Sequence, residues 1–156
     1  MNALVLPVSS TVLSVGEAAS TTERLVKEIK ASYLNQTWRQ PYQSEELGEQ
    51  FVNNSAWFPI ADVDGPIIYN EGLMEVMLLN SDITYPSHKH SPEELYVILA
   101  GQIWWESGTE SGCWKYAGEL IHHLPEVAHS IKSGREPALI LSLWRGGSFE
   151  IPVFTE

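Results

Sequence analysis

The rhythm of apolar and polar positions changes near residue 55 and divides the chain in two. From Trp57 onward, short runs of Val, Ile, Leu, Tyr and Trp are cut by Pro59, Pro66, Pro86, Pro92, Pro125, Pro137 and Pro152. Glycine turns are expected at Asp64-Gly65, Glu71-Gly72, Ala100-Gly101, Ser111-Gly112 and Ser133-Gly134. Strands this short and this regularly spaced predict an antiparallel sandwich or barrel. Upstream the period is helical: Ser20-Thr-Thr-Glu23 reads as a capping box, and Leu25, Ile29 and Tyr33 follow on one face. A helix is expected over residues 21–35, then a short helix or irregular chain over 36–54, while residues 1–19 carry no structural signal. The expected organisation is one domain: residues 1–54 form a helical lead packed on a barrel of residues 55–156.

Composition narrows the partners. At 156 residues the chain can bury a full core. A net charge of -11 leaves no basic patch for displacing counterions from phosphates, so nucleic acid is not expected. The single Cys113 excludes an internal disulfide and any cysteine-based zinc site. No Lys or Arg precedes Arg24 and no apolar run would span a bilayer, which predicts a cytoplasmic protein without membrane attachment, as a monomer or homodimer.

The chemistry concentrates in YPSHKHSPEELY, Tyr85 to Tyr96. His88 and His90 are two apart and share a face on a strand; Glu94 and Tyr96 do the same, with Ser91-Pro92 able to bend the chain between the pairs. His129, in a later strand, could supply a third nitrogen. Imidazoles plus a carboxylate suit a divalent transition metal. A His-x-His pair alone is more often a surface strand than a ligand set, so the pair does not decide the matter. Glu93 is expected to face solvent, opposite Glu94.

The full spacing does more. His88-x-His90-x3-Glu94-x6-Gly101, followed by His129, resembles the two metal-binding motifs of the cupin superfamily. The second motif departs from the family: Leu124 and Glu126 stand where Pro and Gly are usual, and Pro125 is displaced by one, which bears on the loop conformation. The fold implied is mainly β, a single cupin-type antiparallel barrel (double-stranded β-helix, or jelly roll) with an N-terminal helical segment. That fold hosts many activities and decides none of them.

A narrower resemblance rests on AWFPIADVDGP, YPSHKHSPEELYVILAGQIWW and HSIKSGREPALILSLWRGG, roughly residues 56–147, with little from the N-terminal third. These stretches resemble the cupin-type bacterial dimethylsulfoniopropionate (DMSP) lyases, which split DMSP into acrylate, dimethyl sulfide and a proton with a divalent metal and a tyrosine base. The resemblance implies metal ligation by His88, His90, Glu94 and His129, with Fe(II) favoured and Zn, Ni or Mn as alternatives. It places Tyr85 and Tyr96 at the reaction centre, with Tyr96 favoured as base or occasional ligand.

A sulfonium is best held by aromatic faces. In ALILSLW the leucines Leu139, Leu141 and Leu143 form the packed face, which turns Ser142 and Trp144 inward; related lyases carry a pocket tryptophan at the place of Trp144. A two-residue Ala100-Gly101 turn would pair Trp105 with Tyr96 and turn Trp104 away. His122 and His123 alternate faces, so one could enter the barrel, and His123 is the nearer match to a family histidine; a hydrogen-bonded strand histidine is the more frequent reading for both. Trp38, Trp57 and Trp114 are expected as core or rim residues. The alternatives are a cupin lyase or dioxygenase acting on another small carboxylate, or a non-catalytic small-molecule-binding cupin.

Overall fold

The computed structural model describes residues 6–108 and 110–155. Eleven strands are present among them: β1 (Ser55–Asp62), β2 (Ile67–Ile68), β3 (Gly72–Leu79), β4 (Thr84–Lys89), β5 (Glu93–Ala100), β6 (Gln102–Ser107), β7 (Glu110–Tyr116), β8 (Leu120–His123), β9 (His129–Ser133), β10 (Ala138–Arg145) and β11 (Val153–Phe154). They form two sheets, one ordered β2-β1-β3-β10-β5-β8 and the other β11-β4-β9-β6-β7. All pairings are antiparallel except β1 with β2.

Period-two alternation gives β1, β3, β5 and β10 of the first sheet two packed faces. Met77, Leu79, Ile98 and Ile140 point between the sheets, where they meet Ile103 and Ile131. Val76, Leu78, Leu99 and Leu139 point outward against Val8, Val12, Val26, Ile29 and Trp38 of the N-terminal lead. Each such side chain contributes about 1.5–3 kcal/mol on leaving water. The lead is therefore a second cover for the sheet. Its first segment is a 3-10 helix over Pro7–Ser14, within the stretch for which no element was expected.

The helix expected over 21–35 is α1 (Glu23–Ser32), followed by a 3-10 turn over Tyr33–Asn35. The capping box at Ser20 is not formed. Thr22 is the N-cap, and its hydroxyl donates 2.7 Å to the Leu99 carbonyl, tying the helix start to β5. Glu23 is thus the first helical residue and cannot reach back as a third-position cap. Val26 and Ile29 make the buried face, and Leu25 is exposed. Within 36–54 lies α2 (Ser44–Val52), kinked at Gly48, whose φ of 79° is left-handed. The Glu46 carboxylate accepts from the Gln43 N–H at 2.8 Å, so the reach-back cap belongs to this helix.

Three strand-level expectations are also corrected. Ala100-Gly101 is no hairpin: Gly101, at φ +76, carries the chain from β5 in one sheet to β6 in the other, and a Cβ there would sit 2.8 Å from the Pro137 carbonyl. Ser111-Gly112 is no turn but part of β7; a Cβ on Gly112 would meet the Trp104 indole at 2.5 Å, so glycine leaves room for that ring. In β10 both faces pack. Ile140, Ser142 and Trp144 point inward and Leu139 packs on the lead, but Leu141 and Leu143 are only half-buried. Trp144 is inward as expected, though not because the leucine face is the better packed one.

Candidate metal centre

The centre forms where the two sheets face each other at one end of the barrel. In the second sheet, the β4–β9 register sets His88 directly opposite His129 and Tyr85 opposite Ile131. His90 follows β4, and its ring lies 5.1 Å from that of His129. In the first sheet, Glu94 of β5 lies between Trp144 of β10 and His123 of β8, and Tyr96 lies beside Ser142. All these side chains except that of His90 (6% exposed) are essentially closed to outside solvent or, for Trp144, 9% exposed.

Backbone carbonyls dictate the histidine tautomers. Nδ1 of His88 lies 2.7 Å from the Pro86 carbonyl, Nδ1 of His90 2.9 Å from that of Pro92, and Nδ1 of His129 3.1 Å from that of Val127. A carbonyl can only accept, so each Nδ1 must carry the proton. In the neutral ring the Nε2 lone pair is then the free one. Donor atoms of His88, His90 and His129 lie within 4.8 Å of one another. Nε2 of His129 is the clearest case: it lies 3.2 Å from Glu94 Oε2 but off the line of a hydrogen bond, and has no hydrogen-bond partner among the described residues. A buried, unpartnered lone pair is costly unless something accepts it.

Glu94 lies beside these histidines, and its donor atom forms a second close group with those of His123 and His129. Its Oε1 accepts from Ser142 Oγ at 2.7 Å and from Trp144 Nε1 at 2.5 Å, which turns Oε2 toward His90 (3.1 Å), His123 (3.0 Å) and His129 (3.2 Å). Burial alone would raise its pKa. The hydrogen bonds from His123 and His90 and the nearness of His129 outweigh burial and hold the carboxyl well below its usual range. Burial, with His129 alongside, lowers His88 to about 3, so this ring is neutral at any ordinary pH. Burial also acts to lower His90, but the bond to Glu94 and its charge win and raise it.

His123 sits within reach of the same point, but both its nitrogens are taken. Trp105 Nε1 can only donate, and it lies 2.8 Å from His123 Nε2; Nδ1 must therefore carry the proton that goes to Glu94. The ring stacks on His129 at 3.7 Å. This leaves His123 no free nitrogen for a substrate, contrary to the pocket role expected from sequence; it orients Glu94. Trp105 does point inward, but not by pairing with Tyr96, because β5 and β6 belong to different sheets. Trp104 faces out and packs edge-on against Trp114. His122 is on the outer face with Glu93, which also bonds Arg145.

A cavity of about 190 Å³ opens from this point, walled in part by Tyr85, His88, Glu94, Tyr96 and Trp144. Tyr85 stacks on His88 at 4.0 Å, and its hydroxyl bonds that of Tyr42. Tyr96 stands 4.9 Å from His123, edge-on. Without a metal, burial pushes both phenols well above 10, with the Tyr42 and Tyr96 hydroxyls adding to it at Tyr85 and the Glu94 charge at Tyr96. The mouth is framed by Arg39, Asp62 and the segment Phe149–Pro152. Arg39 is held there by Asp62 (3.1 Å) and Asp64 (2.9 Å).

Sequence reasoning missed Tyr42, Ser142 and Glu75 in this wall, and took Trp57 for an ordinary core residue. Glu75 had a visible signal, an acid at an inward position of an otherwise apolar strand. Tyr42 had none, since it comes from the lead. The doubt over the second motif resolves in its favour. Glu126 adopts φ 62°, the conformation the usual glycine would take, and its N–H donates to the His90 carbonyl at 2.9 Å. The loop keeps its shape with a residue that pays for it.

A family model described as dimethylsulfoniopropionate lyase matches residues 5–140, so the likeness reaches further into the N-terminal lead than the motifs suggested. The dimethylsulfoniopropionate lyase DddQ of Ruegeria pomeroyi is 29% identical over 118 residues, which are 76% of this chain and 59% of that protein. The chain thus matches little more than half of that relative's length. A crystal structure reported with the DMSP lyases RdDddP and RnDddQII superposes with a TM-score of 0.92 at 26% identity, over 100% of this chain and 81% of that one. That of DddQ from Ruegeria pomeroyi DSS-3 gives 0.85 at 23% identity over 99% and 80%, a likeness of fold. The mainly β, cupin-type architecture expected from sequence is the one found.

Proposed function

The chain belongs to the dimethylsulfoniopropionate lyase family, and from that premise we propose that it cleaves DMSP to acrylate and dimethyl sulfide by β-elimination. The observation that carries this reading is the arrangement of His88, His90 and His129, whose Nδ1 atoms are all committed to backbone carbonyls so that their Nε2 atoms gather with Glu94 Oε2 beside a cavity lined by His88, Glu94 and two phenols. These four residues are our ligand set for one divalent transition metal, with Fe(II) favoured. His123 is not in the set, because Trp105 and Glu94 occupy its nitrogens.

When bound, such a metal would draw charge from the substrate carboxylate and make the neighbouring C–H more acidic. The protein's own groups do the rest. Tyr96, as phenolate, takes the proton from the carbon next to the carboxylate. The C–H electron pair forms the new C=C bond, the C–S bond breaks, and sulfur leaves with its electrons as neutral dimethyl sulfide. Tyr85, whose hydroxyl is held by Tyr42, orients the substrate beside His88. Trp144 and Trp105 fix Glu94, the one directly and the other through His123. The enclosed cavity keeps bulk water from the carbanionic carbon.

The test is headspace analysis of purified, metal-loaded protein given DMSP. Dimethyl sulfide and acrylate should appear in equal amounts, under nitrogen as in air and with a redox-inert metal as with iron. A strict need for oxygen would indicate a dioxygenase, and no turnover with any metal would leave a binding cupin.

A further inference from the structure

Glu75 is an acid the mechanism above does not use. On β3 it shares the inward face with Leu73, Met77 and Leu79, the last two of which are core residues. Across the sheet it stands opposite Ser142 of β10, which stands in turn opposite Tyr96 of β5. Its carboxyl is enclosed by protein yet open to the cavity it helps to line. Burial pushes it up to about 8, the charges of Glu94 and Asp62 add to that, and Arg39 only partly offsets them.

Among the described residues the Glu75 carboxyl makes no hydrogen bond and no ion pair. Ser142, its cross-strand neighbour, gives its hydroxyl to Glu94 instead, and Arg39 is committed to Asp62 and Asp64. By accessible surface Glu75 is half-buried, its carboxyl facing the cavity, and holding an acid without a partner in such a wall costs desolvation. Such a group in a cavity wall is explained if a cation completes the pair when ligand enters. The surroundings specify which kind. Trp57 and Tyr42 line the same wall with aromatic faces, and Met77 adds a thioether. A carboxyl that ionises as a cation arrives, with aromatic and soft apolar surface around it, suits an onium centre with no N–H or O–H to satisfy.

We infer that Glu75 receives the cationic end of the substrate, an onium group whose carboxylate end lies toward the histidines. This rests on the proposed zwitterionic substrate and deepens it: charge recognition sits on β3, apart from the ligand set.

The test is calorimetric titration of the metal-loaded protein with two carboxylates of equal shape, one ending in trimethylammonium and the other in tert-butyl. The wild type should bind the cationic one at least about tenfold more tightly. In Glu75→Gln and Glu75→Met that preference should fall to about twofold or less, with the neutral carboxylate bound as well as before and metal content unchanged. Removing a half-buried acid that makes no hydrogen bond or ion pair among the described residues should not lower the melting temperature, and two variants guard against one misfolding. A preference that survives both substitutions, or a wild type that does not distinguish the two ligands, overturns the assignment. Binding needs no turnover, so the two readings fail separately. A collapsed preference without dimethyl sulfide release would sink only the lyase reaction; release with an intact preference would sink only the role of Glu75.

Discussion

The indole N–H of Trp144 donates to Oε1 of Glu94 at 2.5 Å, and the ring lies 4.3 Å from that of His90. Trp144 was expected to act as a sulfonium face. Its position makes it first a support of the ligand set, because with Ser142 it occupies one carboxylate oxygen and so aims the other. Outer hydrogen bonds of this kind are worth roughly 10–100-fold in metal affinity. Trp144→Phe, which keeps the ring and loses the N–H, should weaken metal binding by that order. Competition with a chelator of known affinity checks it. Unchanged affinity, with weaker ligand binding, would restore the face-only role.

His129 offers the sharpest ligand test. Its Nε2 is buried without a hydrogen-bond partner. His129→Ala should strip or loosen the metal, seen by elemental analysis. In the wild type, metal should raise the melting temperature, since it binds only where the four groups converge. Full occupancy in His129→Ala would sink the four-ligand set.

The metal-free protein should be acid-labile. His88 titrates at about 3 when folded and near 6.5 when unfolded, so its folded value is depressed. The unfolded chain therefore binds the extra proton first, and stability falls as pH drops from 6.5 to about 3, on the order of 1.4 kcal/mol per unit. Glu94, also depressed, adds to the loss below 4.5. His90 is raised, so its contribution is complete below 6.5 and does not offset this limb. Urea melts across pH 4–7 measure the slope. A flat profile would mean that His88 is not buried neutral.

Glu126→Gly should stabilise the fold. At φ 62° the residue bears a left-handed strain of about 1–2 kcal/mol, and its ion pair with Lys89, 3.6 Å and exposed, returns little. After the extra entropy of glycine in the unfolded chain, a net gain of about 0.5–1 kcal/mol remains. Denaturant melts of the two proteins decide the sign.

The ligand set was legible because its members obey short-range rules. His88-x-His90 and Glu94-x-Tyr96 are period-two pairs on chain segments that follow one another but join different sheets, and the β4–β9 register sets His129 opposite His88. Tyr42 was not legible as a site residue, since packing of the lead brings it in; Ser142 was legible only as an inward residue of β10 and Glu75 only as an inward acid of β3, because what each meets depends on register. Ser111-Gly112 misled because glycine in a strand, making room for Trp104, looks like glycine in a turn. Trp105 was placed inward on a hairpin that does not exist. Where a residue points follows from its own strand; what it meets depends on the sheet to which that strand belongs.

The two phenols should separate under substitution. Tyr85 has its hydroxyl tied to Tyr42, whereas Tyr96 stands between the β5 carboxylate and the edge of His123. Burial keeps both protonated in the metal-free protein, so phenolate has to be favoured by the positive charge that the site is built to hold. Tyr96→Phe removes the proton acceptor and nothing of the ring; turnover should fall by roughly 10²–10⁴ while metal content stays. Tyr85→Phe should cost less. Tyr42→Phe should cost less again, and its loss should shrink in a Tyr85→Phe background because both changes break one hydrogen bond. Deuterium exchange at the carbon beside the carboxylate, followed with dimethyl sulfide release, reports proton removal separately from C–S cleavage. If Tyr96→Phe keeps both rates and Tyr85→Phe abolishes them, the roles are reversed. Tyr42 then becomes the residue that positions the base, and its substitution should move the pH midpoint of turnover.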